Sequence, residues 1–149
     1  MIRLVRVLLS AAALAFSIVA LAAPDEKPAV KIEFRRAERE PAQGLQEATI
    51  EGTTAKIYLH KGPGVTNEDI AEARAITEGG PRVELTLTGA GKEKMAKLTT
   101  GHQGKPLAVL VDGKVIAAPT VRDPITDNAM LSVRTNEEAE RIAKGLQAK

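Results

Sequence analysis

Alternation of apolar and polar residues, rather than any reactive side chain, is the dominant pattern of this chain. In VKIEFR, Val30, Ile32 and Phe34 alternate with Lys31, Glu33 and Arg35, the period of two expected of a strand with one buried face. AKIYLH repeats it with Ala55, Ile57 and Leu59, and RVELTLT with Val83, Leu85 and Leu87. Between the first two, the polar, Gly/Pro-punctuated stretch AEREPAQGLQEATIEGT reads as a loop. Thr66 and Asp69 of TNED stand at capping-box spacing for a short helix, after which EARAIT fits either more helix or a strand paired through EGGP with RVELTLT. GAGKEKMAKLTTG is expected to be a helix, with Met95 and Leu98 on one face and Gly101 as its stop. The last helix is the clearest: Thr135 and Glu138 form a capping box, and Ala139, Ile142, Ala143 and Leu146 follow at i, i+3, i+4, i+7.

The stretch GKPLAVLVDGKVIAAP (Gly104 to Pro119) departs from simple alternation. LAVLV and KVIAA flank Asp112-Gly113, a type I′ hairpin signal because both central residues need positive φ. A two-residue turn sets Val111 opposite Lys114, Leu110 opposite Val115 and Val109 opposite Ile116. One face then carries Leu107, Val109, Val111 and Ile116, the other Ala108, Leu110, Val115 and Ala117. Both faces are apolar. Two arrangements satisfy this: a hairpin covered on both sides, or an open sheet face that exposes Leu110 and Val115 as a contact surface. The expected class is α+β, a two-layer sandwich with a mostly antiparallel sheet of about 5–6 strands and helices on one face.

The N-terminus changes the charge picture. MIRLVRVLLSAAALAFSIVALAAPDE has the parts of a secretory signal: Arg3 and Arg6, an apolar stretch from Val7 to Val19, and the small-x-small Ala20-Leu21-Ala22. This predicts a signal over 1–22, cleaved near Ala22-Ala23, a flexible leader over 23–29 and one domain over 30–149. The alternative is an uncleaved anchor, since Val7 to Ala23 is 17 residues, the short edge of the roughly 17–25 that span a bilayer. Apart from the two signal arginines, 19 basic side chains of the 21 face 19 acidic ones. The exported part is therefore neutral, and nucleic-acid binding has no electrostatic basis. Beyond the signal the only aromatics are Phe34 and Tyr58, too few for a base-stacking platform. Without cysteine there is neither a disulfide nor a lipoprotein anchor site.

Candidate chemistry is sparse. His60, at a strand end, and His102, after a helix stop, read as solvated histidines, and no metal-ligand spacing joins them. Asp123, Asp127 and Asn128 in RDPITDN lack the pattern of a calcium loop and read as turn residues. Ser132, the one serine outside the signal, has no nucleophile elbow around it. The glycine-rich pieces GAG, EGG and GPG lack a phosphate-loop Lys-Ser/Thr. No cofactor, metal or catalytic residue is expected.

RVELTLTGAGKEKMAKLTTGHQGKPLAVLVDGKVIAAPTVRDPI, followed by TNEEAERIAKGL, resembles the head subdomain of the first periplasmic domain of the protein-export membrane protein SecD. The matching pieces are Leu87-Thr88, Gly89-Ala90, Gly104 to Ala108, Val111 to Val115, Ala118-Pro119, Pro124-Ile125 and Thr135 to Ala139. KIYLHKGPGVTNEDIAEA is similar to the family's lead-in, so the resemblance runs from about Ala55 to Leu146. The chain departs from it at Ser132 and Arg134, where the family has a small glycine and an aromatic, and in having at most one hydrophobic segment where SecD has six membrane helices. The resemblance implies a stand-alone, exported, non-enzymatic head that binds protein or peptide, such as a translocating polypeptide or an envelope protein. The candidate contacts come from the hairpin pattern itself, Leu110 and Val115 on the face that the resemblance leaves unassigned and Asp112 and Gly113 in its turn. A small-ligand or structural envelope module on the same fold is the alternative.

Overall fold

The computed structural model describes residues 29–62 and 64–147. The expected signal, 1–22, and the leader up to residue 28 lie outside the described residues. In chain order the elements are β1 (Ile32–Glu38), β2 (Gln46–Thr49), β3 (Lys56–Leu59), β4 (Val65–Thr66), a 3-10 turn (Asn67–Asp69), β5 (Ile70–Ile76), β6 (Arg82–Leu87), α1 (Gly89–Thr99), β7 (Leu107–Val111), β8 (Lys114–Ala117), β9 (Ala129–Ser132) and α2 (Asn136–Gln147).

The α+β class and the antiparallel pairing hold, but the strands divide between two sheets. One runs β2-β3-β1-β7-β8 with β4 also on β1; the other runs β5-β6-β9. β1 is the hub: Phe34 lies opposite Val109 of β7 and Val65 of β4, while Ala37 lies opposite Leu59 of β3. Where β4 leaves β1 for the second sheet, the Asn67 side chain takes over its pairing. Its Oδ1 accepts from the Ile32 N–H at 2.7 Å and its Nδ2 donates to the Val30 carbonyl at 2.7 Å. The ambiguous EARAIT, apart from its final Thr77, is strand within β5, because the capping signal at Thr66 starts only a 3-10 turn.

Two differences from the sequence reading matter for the site. β2 lies within the stretch read as loop; its QEAT has no apolar alternation, since it is an edge strand with most side chains in solvent. The β7–β8 turn has the expected positive φ at Asp112 (51°) and Gly113 (81°), and Leu110 faces Val115. Beyond that pair a bulge sets Val109 opposite Ala117 instead of Ile116. Ile116 and Ala117 consequently both pack against the main core, and Ala118 takes the place on the other face that Ala117 was expected to fill.

The main core joins Ile32, Phe34, Val109 and Val111 of the first sheet to Val83, Leu85 and Leu131 of the second. Met95 of α1 and Ala139, Ile142 and Leu146 of α2 complete it. Among the described residues no helix residue enters the smaller cluster on the opposite face of the first sheet, so α1 and α2 serve one face. Arg36 of β1 terminates α1: its Nε donates to the Leu98 carbonyl at 2.7 Å, and its Nη2 to those of Lys97 and Thr100 at 2.6 and 3.2 Å. These are carbonyls the helix itself leaves without donors.

Candidate binding groove

The outer face of the first sheet, carrying Ala37, Ala108, Leu110 and Val115, is covered by the β2–β3 hairpin. Ile57 and Leu59 pack directly on it, with Ala48 and Ile50 at the margin. Leu110 and Val115 are 5% and 3% exposed. The open apolar patch, one of the two arrangements the pattern allowed, is therefore not the one adopted. The hairpin folds over because the sheet curls from β1 outward until the β2–β3 turn meets the edge of β8. There the Glu51 N–H donates to the Val115 carbonyl at 2.8 Å. The turn is self-bonded: Thr53 Oγ1 donates to the Ile50 carbonyl at 2.9 Å and accepts from the Ala55 N–H at 3.1 Å, while Gly52 supplies a positive φ of 75°. Arg134 reaches in from before α2 and pairs with Glu51 at 3.0 Å.

The mouth of this curl is an open groove of about 630 Å³. Leu59, Leu110 and Val115 form its floor, Glu33 and Arg35 of β1 one wall, and the turn from Thr49 to Thr53 the other. Lys31 and Lys114 stand on the rim. Glu33 is nearly buried, with Lys31 Nζ at 3.0 Å and Arg35 Nη2 at 2.7 Å. Burial pushes its carboxyl up, but hydrogen bonds from Lys31 and Arg35, and their charges, outweigh that and hold it below the ordinary carboxylate value. The groove thus pairs an apolar floor with fixed charges of both signs. Among the described residues no histidine or serine lines it.

Of the four candidate contacts, Leu110, Val115 and Gly113 line the groove and Asp112 does not. Asp112 instead clasps the hairpin to its neighbours. Its Oδ1 accepts from the Lys31 N–H at 3.0 Å, its N–H donates to the Lys31 carbonyl at 2.8 Å, and its Oδ2 pairs with Arg141 of α2 at 3.3 Å. Sequence reasoning missed Ile50, Glu51 and Thr53 because they sit in the stretch read as loop. It missed Glu33 and Arg35 because they occupy the supposedly wet face of β1.

The histidines differ from expectation. His102 is buried, 3% exposed, with Nε2 3.0 Å from the Pro106 carbonyl, so it ties its own loop together instead of facing solvent. His60 is half-exposed and 3.0 Å from Glu38 Oε1, and the two rings meet edge to face at 6.2 Å. Among the described residues no cluster of three or more His, Asp or Glu is placed to hold a metal. Asp127 pairs with Lys92 at 2.8 Å, in keeping with a turn role.

The model of the SecDF P1 head subdomain family matches residues 42–149. Protein translocase subunit SecDF of Thermus thermophilus is 38% identical over 90 residues, covering 58% of this chain and 12% of the relative. Protein translocase subunit SecD of Rhodobacter capsulatus is 36% identical over 94 residues, 60% of this chain and 17% of the relative. The chain therefore spans less than a fifth of either. A solved structure of SecDF, described as a membrane component that enhances protein export, superposes with a TM-score of 0.64 at 26% identity, covering 82% of this chain and 64% of that one. SecDF in its super-membrane-facing form gives 0.66 at 29% identity, over 82% of this chain and 19% of that one. The match begins upstream of the resemblance read from sequence and takes in β2 and the turn from Thr49 to Thr53, whereas β1, which carries the other wall of the groove, precedes it. This chain belongs to the SecDF P1 head subdomain family.

Proposed function

We propose that this chain is a non-catalytic, exported module that binds polypeptide in connection with protein export or another envelope process. The observation that carries the reading is the open groove, whose apolar floor of Leu59, Leu110 and Val115 is bordered by Lys31, Glu33, Arg35 and Lys114. Those three side chains are 2–5% exposed, so an extended segment would meet chiefly the half-buried Ala48 and Ile50 and the main chain of the turn above them, while charges of both signs at the border tolerate varied sequences. Relatives that are translocase subunits supply the link to export. The exported location rests on the signal-like residues 1–22. No helix among the described residues is long and apolar enough to cross a membrane.

A photo-crosslinking residue at Thr49 or Lys114, both exposed at the groove, tests this in cells. Adducts with polypeptides in transit are expected from both positions. If neither position yields a polypeptide adduct, the reading fails. One observation favours the alternative of a small-ligand module: about 630 Å³ falls within the range of small-molecule sites. Native mass spectrometry of the purified protein separates the two, since a small-ligand module would carry a bound mass of a few hundred daltons and a polypeptide binder would not.

A further inference from the structure

A second cleft, of about 460 Å³, lies on the opposite face of β1, between the last turns of α1 and the segment that follows β3. Arg36, His60, Lys61, Lys94, Lys97 and Leu98 line it, and among the described residues no carboxylate does. In a chain whose charges balance outside the N-terminal stretch, four permanent cations around one cleft are a concentration that the fold creates. Two have internal reasons to be there. Arg36 is held by the carbonyls of Lys97, Leu98 and Thr100, and Lys94 pairs with the buried Asp69 at 2.8 Å. Lys97, in the last turn of α1, is favoured by the helix dipole, but it and Lys61 are both exposed and neither makes an ion pair among the described residues. The nearby Glu38 is already engaged by His60 at 3.0 Å and Lys105 at 3.1 Å.

We infer that this cleft binds an acidic segment of polypeptide. A compact phosphate is recognised by backbone N–H groups at a helix N-terminus or by a free guanidinium fork. Here α1 presents its C-terminal end, and two of the three Arg36 nitrogens are already committed to carbonyls. What remains is a pair of flexible lysine ammoniums beside the half-buried Leu98, in a cleft large enough for several residues. Such an arrangement attracts distributed carboxylates without fixing their geometry, so the binding is salt-sensitive and tolerant of sequence. It uses none of the groove residues and stands or falls separately from the groove.

The test is fluorescence anisotropy of a labelled polyglutamate peptide on the full chain, at low and physiological salt. Lys61→Glu/Lys97→Glu should weaken binding about tenfold at low salt, with most of the wild-type affinity lost as salt rises. Arg122→Glu/Lys144→Glu makes the same change in net charge at exposed sites outside the cleft, and should weaken it less than about twofold. Circular dichroism verifies that both variants are folded. No binding by the wild type, or equal loss in both variants, overturns the inference. So does competition by inorganic phosphate at matched charge, or a Lys61/Lys97 effect confined to anionic phosphatidylglycerol vesicles.

Discussion

The Glu51 N–H donates to the Val115 carbonyl across 2.8 Å, latching the β2–β3 turn to the outer edge of β8. The bond closes the curl over Leu110 and Val115 and turns an apolar sheet face into the floor of a groove. Leu110 is therefore a core residue as well as a groove residue. Leu110→Ala is expected to cost about 2–4 kcal/mol in a urea unfolding experiment. A side chain on an open patch would cost less than about 0.5 kcal/mol, and that result would contradict the covered arrangement.

A close approach between α2 and the start of the domain gives a second prediction. A Cβ on Gly145 would collide with the Val30 side chain, lying 2.7 Å from its Cβ and 3.0 Å from its backbone nitrogen. Alanine favours a helix over glycine by about 1 kcal/mol. Gly145→Ala should nevertheless destabilise, by about 1–3 kcal/mol, through overpacking. Gly89→Ala, at the first position of α1 with nothing within 4 Å, should be neutral or stabilising by up to about 1 kcal/mol. Thermal melts of the two variants should move in opposite directions.

Acid stability follows from Asp69. Burial pushes its carboxyl up, but Lys94 Nζ at 2.8 Å, the Thr66 N–H at 3.0 Å and the Lys94 charge together hold it below its ordinary 3.8. A folded-state value below the unfolded one means that the unfolded chain binds more protons in the interval between them. The stabilisation is thus fully present above about pH 4 and is lost as pH falls through the folded-state value. Glu33, also held low, acts in the same direction from its ordinary 4.5 downward. Asp69→Asn should lower the urea midpoint at neutral pH and flatten its decline between about pH 4 and pH 2. An unchanged acid slope would remove Asp69 from this role.

Arg134 fastens the groove's turn by pairing with Glu51 at 3.0 Å. Both partners are well exposed, so Arg134→Ala should change global stability by less than about 1 kcal/mol. Its effect should be local: faster amide hydrogen exchange at Glu51, whose N–H makes the bond to Val115, with β7 unaffected. Unchanged exchange at Glu51 would show that the latch does not need Arg134.

What the sequence revealed divides along a physical line. Elements that bury one face announce themselves by period, so β1, β3, β6, α2 and the β7–β8 turn are legible from Val30, Ile57, Val83, Ile142 and Asp112-Gly113. β2 is not, because an edge strand with exposed side chains carries no alternation, and its backbone pairing with Tyr58 and Ile57 depends on no side-chain pattern. The groove was half legible for the same reason. Leu110 and Val115 stood out as a second apolar face, whereas the cover over them came from residues whose polar composition suggests a loop. The Ile116 bulge and the burial of His102 arise from tertiary fit, which local spacing does not encode.

Binding of unfolded polypeptide in the groove under the β2–β3 turn can be read residue by residue from amide chemical-shift mapping. Isotope-labelled protein is titrated with a permanently unfolded, apolar-rich peptide at physiological salt, where attraction to the Lys61–Lys97 cleft is screened. Shifts are expected to concentrate at Ala48, Ile50, Glu51, Leu110, Gly113 and Val115. Shifts that leave these amides untouched, or none at all at saturating peptide, would contradict binding there.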